Sequence, residues 1–193
     1  MAKKHIITIA GSLGSGKSST SRRVVELLGY KFHSNGDFMR AIASERGVSL
    51  EELSKISETD PTVDTALDDK NRELGQESDI LIDSRLGFHF IPDAFKVSLE
   101  LEPHIAAERI LKDAEVNPNR HKETKDKFDS VESISKSIED RLASERKRYK
   151  ELYGIEDHRA PSNYDLVINT GALPLEAVAN KIVEEYKKWL ANE

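Results

Sequence analysis

The chain has 193 residues, 37% hydrophobic and 33% charged, with a formal charge of −6 and no cysteine. That length suits one domain with at most a small inserted lobe, and no window approaches the ~18 apolar residues of a membrane span. Lack of cysteine excludes disulfides and thiolate metal sites and fits a reducing cytoplasm, while the negative charge speaks against binding nucleic acid over the whole surface. Met1-Ala-Lys-Lys and the six mostly apolar residues after it are not expected to form a secretory leader.

In chain order, residues 5–10 read as a strand that runs directly into Gly11-x-x-x-x-Gly16-Lys17-Ser18, a complete phosphate-binding loop. Gly11, Ser12, Leu13 and Gly14 are expected to form the first half of the cradle. Ser15, Gly16, Lys17, Ser18 and Ser19 complete it and open a helix over residues 17–28. Glycine lets backbone N–H groups turn inward, and the helix start adds its positive dipole end. Lys17 would reach the β and γ phosphates of ATP, and the Ser18 hydroxyl would sit on the nucleotide's Mg²⁺.

Residues 30–33, 79–83, 95–101 and 166–169 are the remaining predicted strands, separated by segments of helical spacing. Parallel strands need crossover helices, so the expected fold is α/β: a P-loop three-layer sandwich with a five-stranded parallel sheet and ligands at the strands' carboxyl ends. Between the second and third strands, residues 37–45, 49–59 and 62–76 read as helices. Ser49-Leu50-Glu51-Glu52 is a capping box and Asp60-Pro61 a stop, which together suggest a helical lobe. A second excursion over 111–131, with Asn117-Pro118-Asn119 and a lysine-rich stretch, leads into a long helix over 131–153. There Val131, Ile134, Ile138, Leu142, Tyr149 and Leu152 make an apolar stripe, edged by Arg141, Glu145 and Arg148. Residues 174–190 close the chain as an amphipathic helix, with Trp189 read as core.

A phosphate loop alone also fits GTPases and motor ATPases, but an Asn-Lys-x-Asp guanine signature is missing and a motor would be longer. Small kinases remain, in which transfer depends on alignment and charge neutralisation. Ser34-Asn35-Gly36-Asp37-Phe38-Met39-Arg40, Glu45-Arg46-Gly47-Val48-Ser49-Leu50-Glu51-Glu52, Asp60-Pro61 with Asp64, Asp83-Ser84-Arg85 and Ser144-Glu145-x-x-Arg148-Tyr149-x-x-x-Tyr153-Gly154-Ile155 give the resemblance its detail. Over nearly its whole length the chain resembles the nucleoside monophosphate kinases, most closely the archaeal-type cytidylate kinases.

The resemblance implies ATP-dependent phosphorylation of CMP or dCMP with Mg²⁺. An acceptor lobe over about 37–76, a lid region over about 112–153 and a monomeric state are expected. The resemblance also implies that Arg40 and Arg85 bind the acceptor phosphate, that Asp37 holds the nucleotide's polar edge or the local loop, and that Arg141 and Arg148 close over the transferring group. Asp83 is read as positioning Mg²⁺ through water, holding an acceptor hydroxyl, or stabilising the loop. Arg109 and Arg120 are weaker candidates, and Lys122, Lys125 and Lys127 are read as lid surface. Where relatives often have Gly-Ser-Gly-Thr-Thr, this chain has Gly14-Ser15-Gly16-Lys17-Ser18. Where many have Glu-Gly-Arg it has Asp83-Ser84-Arg85, and its lid segment is longer. The histidines share no spacing that would make a zinc site. His89 is the one that could border the acceptor base, with Phe88 or Phe90 stacking on it or packing in the core. A kinase for another small acceptor, such as a different nucleotide or dephospho-coenzyme A, and a nucleotide-dependent binding switch are the alternatives.

Overall fold

The structure is a computed structural model and describes residues 4–116 and 130–192. Its centre is a five-stranded, all-parallel sheet in the order β2-β3-β1-β4-β5. The strands are β1 (Ile6–Gly11), β2 (Lys31–Ser34), β3 (Ile80–Asp83), β4 (Phe95–Glu100) and β5 (Leu166–Asn169). The helices are α1 (Lys17–Leu28), α2 (Asn35–Glu45), α3 (Leu50–Ile56), α4 (Thr62–Leu74), α5 (Gly87–Phe90), α6 (Pro103–Val116), α7 (Val131–Tyr153) and α8 (Leu175–Ala191). Asn117, Pro118, Asn119, Arg120, His121, Lys122, Lys125 and Lys127 lie outside the described residues.

Alternation within the strands divides the core between the two faces of the sheet. Ile7, Ile9, Leu81, Val97 and Leu99 join Val24 of α1 and Val178, Ile182 and Tyr186 of α8, with Trp189 packed against that cluster. Ile6, Ile80 and Ile82 face the other way, onto Leu74 of α4 and Ile91. Two smaller clusters stand off the sheet: Ala43, Leu53 and Val63 hold α2, α3 and α4 together, and Leu101, Ala106, Ala107, Ile134 and Ile138 join α6 to α7.

The capping box forms as read: the Ser49 side chain accepts from the Glu52 N–H, and Glu52 accepts from the Ser49 N–H at 2.7 Å. The helix it starts ends at Ile56, before the proline stop. Asp79, expected within a strand, precedes β3 in a left-handed turn at φ 58°. Helix α6 begins well before the excursion expected at residue 111. Its first residue, Pro103, has a preset φ and lacks only an N–H that a first-turn residue leaves unpaired in any case.

Short α5 lies hard against β1. A Cβ on Gly87 would stand 2.7 Å from Thr8 Cβ and 2.8 Å from Thr8 Cγ2, and Thr8 is buried. Gly87→Ala therefore forces α5 outward. It is expected to cost about 1–3 kcal/mol and lower Tm by at least about 2 °C in a thermal melt; an unchanged Tm would show that this contact relaxes freely.

Candidate active site

Strand β1 sits at the switch point of the sheet, with β3 on one side and β4 on the other, where open α/β folds form a crevice beyond the strands' carboxyl ends. Register brings Ile9 opposite Asp83 and Gly11 opposite Leu99, so the loop after β1 leaves the sheet between Asp83 and β4. Close approach at Gly11 and a positive φ at Gly16 call for glycine at both positions. A Cβ on Gly11 would lie 2.3 Å from the Leu99 carbonyl oxygen, and Gly16 caps α1 at φ 83°.

Buried Ser15 braces the loop from inside through its hydroxyl, which donates to the Ser12 carbonyl at 2.8 Å, and Leu13 packs on the α6 and α7 cluster. No side chain caps α1, and its first turn carries no acidic residue. Its leading N–H groups and positive dipole end are thus presented to the crevice beside exposed Ser18 and Ser19.

Lys17 turns back over the sheet, with Nζ 3.3 Å from Asp83 Oδ1 and both side chains largely buried. Burial holds the ammonium below the usual lysine range; Asp83 opposes that shift, while Arg85 and Arg141 add to it. Arg85, two residues after Asp83, reaches Glu145 Oε2 through its Nε at 2.9 Å, and Arg141 donates from its Nε to Glu145 Oε1 at 3.0 Å.

Burial pushes the Glu145 carboxyl up, but the two guanidiniums outweigh it and hold the group below its ordinary value. Arg141 is lowered first by Arg85 and then by burial, the repulsion of two cations gathered at one place. His158 closes the back of this group, with Nε2 3.8 Å from Glu145 Oε2, and burial keeps its imidazole below the usual histidine value. Gly11, Ser12, Arg85, Arg141 and Glu145 line one cavity together.

The other expected residues lie elsewhere. Arg40 pairs with Asp37 one helical turn away at the exposed start of α2. Arg148, expected over the transferring group, is engaged instead with the helical lobe, where its Nε lies 3.3 Å from Asp64 Oδ2 and its Nη1 donates to Ser57 Oγ at 2.8 Å. Ser144 to Glu58, at 2.6 Å, and Tyr153 to Asp68, at 2.8 Å, strengthen the same seam between α7 and the lobe. Arg109 donates to the carbonyls of Thr170 and Gly171 and so braces the loop after β5. His89 is exposed, and partly buried Phe90 packs on the core with Arg72 over its ring.

Sequence reasoning missed Glu145 as a site residue, although its i, i+4 spacing from Arg141 was visible. It also missed Asn35, whose amide donates to Ser84 Oγ at 3.0 Å and ties the start of α2 to the end of β3. Among the described residues no cluster of three or more His, Asp or Glu could cage a metal. A cation here would depend on ligand phosphates together with Ser18 and, through water, Asp83.

Structurally this is the fold of small-molecule P-loop kinases: shikimate kinase from Bacteroides thetaiotaomicron superposes with a TM-score of 0.63 at 12% identity, covering 94% of this chain and 98% of that one. The family described as AAA domain matches residues 7–134. A cytidylate kinase of Methanopyrus kandleri is 37% identical over 169 residues, 86% of this chain and 84% of that protein. The chain belongs to the cytidylate kinase family of nucleoside monophosphate kinases. An S-adenosylmethionine-dependent nucleotide dehydratase of Lacinutrix mariniflava is 35% identical over 96% of this chain, which spans only 36% of that protein.

Arg148 and Asp64 form a buried pair, 12% and 8% exposed, so removing one partner strands the other charge. Arg148→Ala is expected to lose about 3–5 kcal/mol in urea unfolding, with Asp64→Asn restoring part of it in the double variant. Stability within about 0.5 kcal/mol of wild type would show the pair to be dispensable.

Proposed function

We propose that the enzyme transfers the γ phosphoryl group of ATP to CMP or dCMP, giving ADP and the nucleoside diphosphate, with Mg²⁺ accompanying the triphosphate. The observation that carries this is that Arg85 and Arg141 line one cavity with the start of the loop, and that Lys17, close enough to feel both charges, stands with them beyond the carboxyl ends of β1 and β3 beside an uncapped helix start. Such a crevice suits two phosphate-bearing anions better than one. The cytidylate kinases among its relatives favour the pyrimidine acceptor.

In this reading the residues of the loop from Gly11 to Ser19 hold the donor phosphates. Lys17 takes the β and γ oxygens, and Ser18 holds the metal ion, whose chemistry is to neutralise triphosphate charge. The backbone clearance at Gly11 and the open N–H groups of α1 fit that ligand. Arg85 binds the acceptor phosphate, and Arg141, coming from α7, meets the same group and the charge that spreads during transfer.

Arg40 and Asp37, at the start of α2, are assigned to the acceptor side of the lobe. Asp83 aligns Lys17 and the metal's water shell. Arg148 acts by holding α7 to the lobe, which places Arg141. Residues 37–76, with their own cluster of Ala43, Leu53 and Val63, form the acceptor lobe, and residues 112–153 the lid.

An acceptor panel tests this. CMP or dCMP is expected to give stoichiometric ADP with ATP and Mg²⁺, ahead of UMP, AMP, GMP and TMP. Preference for another acceptor would reassign the substrate, and slow acceptor-independent hydrolysis would favour a binding switch. Lys17→Ala is expected to lower kcat by about 10²–10³-fold with the fold retained in far-UV circular dichroism; wild-type turnover would remove Lys17 from the chemistry.

A further inference from the structure

We propose that Glu145 is the positioning residue of the acceptor-phosphate site: it does not touch substrate, but fixes the spacing and orientation of Arg85 and Arg141 so that both guanidiniums meet one phosphate. The inference rests on the reading above that these two arginines receive that phosphate.

The arginines come from separate parts of the chain, one just past β3 and the other in α7, and nothing in the backbone holds them parallel. Glu145 gives one oxygen to each, Oε2 to Arg85 at 2.9 Å and Oε1 to Arg141 at 3.0 Å. The Arg141 contact is a hydrogen bond from Nε, the corner nearest the side-chain stem, and the Arg85 ion pair also makes its closest approach at Nε. One carboxylate shared between two guanidiniums keeps them within a few ångströms of each other and limits how their outer edges can turn, which is what binding one phosphate by both requires.

Two plainer roles fit less well. An i, i+4 pair of Arg141 with Glu145 on a helix surface would need no burial and would contribute only tenths of a kcal/mol. Here the Glu145 side chain is 9% exposed, and His158 stands behind it against the Tyr149 ring, whose centroid is 5.0 Å from the imidazole. Burying a carboxylate is costly unless its partners are well placed, and such a group fixes geometry more than it adds stability.

A general base is the other alternative. Both oxygens are already engaged by cations, however, and a monophosphate oxygen is anionic before it attacks, so it has no proton to give up.

Steady-state kinetics of Glu145→Gln and Glu145→Asp, with acceptor and ATP varied separately, test the proposal beside Arg85→Ala and Arg141→Ala. Glu145→Gln is expected to lower kcat/KM for the acceptor by about 10²-fold, as for a misplacement of about an ångström, while the ATP KM stays within about twofold of wild type. Glu145→Asp, which keeps the charge but shortens its reach, should lie between. In an Arg141→Ala background the Glu145→Gln loss should shrink, because the group it orients is gone.

A lower Tm with wild-type acceptor kinetics, or a full additive loss in the Arg141→Ala background, would overturn the proposal. Should Glu145→Gln fail to fold, Glu145→Asp decides: wild-type acceptor kinetics there overturns it as well. If Arg85→Ala and Arg141→Ala themselves leave the acceptor KM unchanged, the phosphate reading is what fails.

Discussion

Holding three cations at one end of a parallel sheet is the constraint around which this molecule is arranged. Lys17, Arg85 and Arg141 repel one another at short range, and each is partly or wholly removed from water. Two carboxylates offset this, Asp83 on Lys17 and Glu145 on both arginines. Either acid alone would leave a cation buried without a partner, an expense of several kcal/mol in a folded chain. Three cations set against two acids leave an excess of positive charge, which attracts anions. The same acids that steady the buried cations therefore do not cancel the positive charge of the crevice.

Parallel topology supplies half of that arrangement. Because β1 lies between β3 and β4, the loop after β1 and the residues after β3 emerge side by side, and register alone sets Asp83 across from Ile9. The other half comes from α7, long enough to touch three neighbours. Its Ile134 and Ile138 pack on α6, its Arg141 and Glu145 enter the crevice, and its Arg148 and Tyr153 grip Asp64 and Asp68 of the helical lobe. A shift of α7 is thus felt in the lobe and at the crevice together.

How much of this was legible in the sequence follows from the range of each interaction. The phosphate loop is contiguous and its glycines answer a local steric demand, so it could be read residue by residue; so could the Ser49 capping box and the alternating strands. The five-stranded parallel sheet followed from the alternation of elements. What was not legible depends on distant pairing. Arg148 and Asp64 are brought together by folding, and spacing within α7 could not tell a phosphate ligand from a latch. Glu145 stood in plain view four residues after Arg141, but that pattern is also the signature of a solvated helix face. Only its burial, and the arrival of Arg85 from β3, distinguish the two.

The contrast between Arg141 and Arg148 carries this further. Seven residues apart on one helix, they lie roughly two turns from each other along nearly the same face. Arg141 meets a carboxylate shared with a second arginine, so part of its charge is uncompensated and directed at the crevice. Arg148 meets Asp64 and a serine hydroxyl, and its charge is spent within the protein. Identical side chains on one stripe thus acquire opposite purposes from the number of acids set against them. The ratio of cations to acids separates an arginine left with charge to offer a ligand, the role proposed for Arg141, from one that fastens the helix to the lobe.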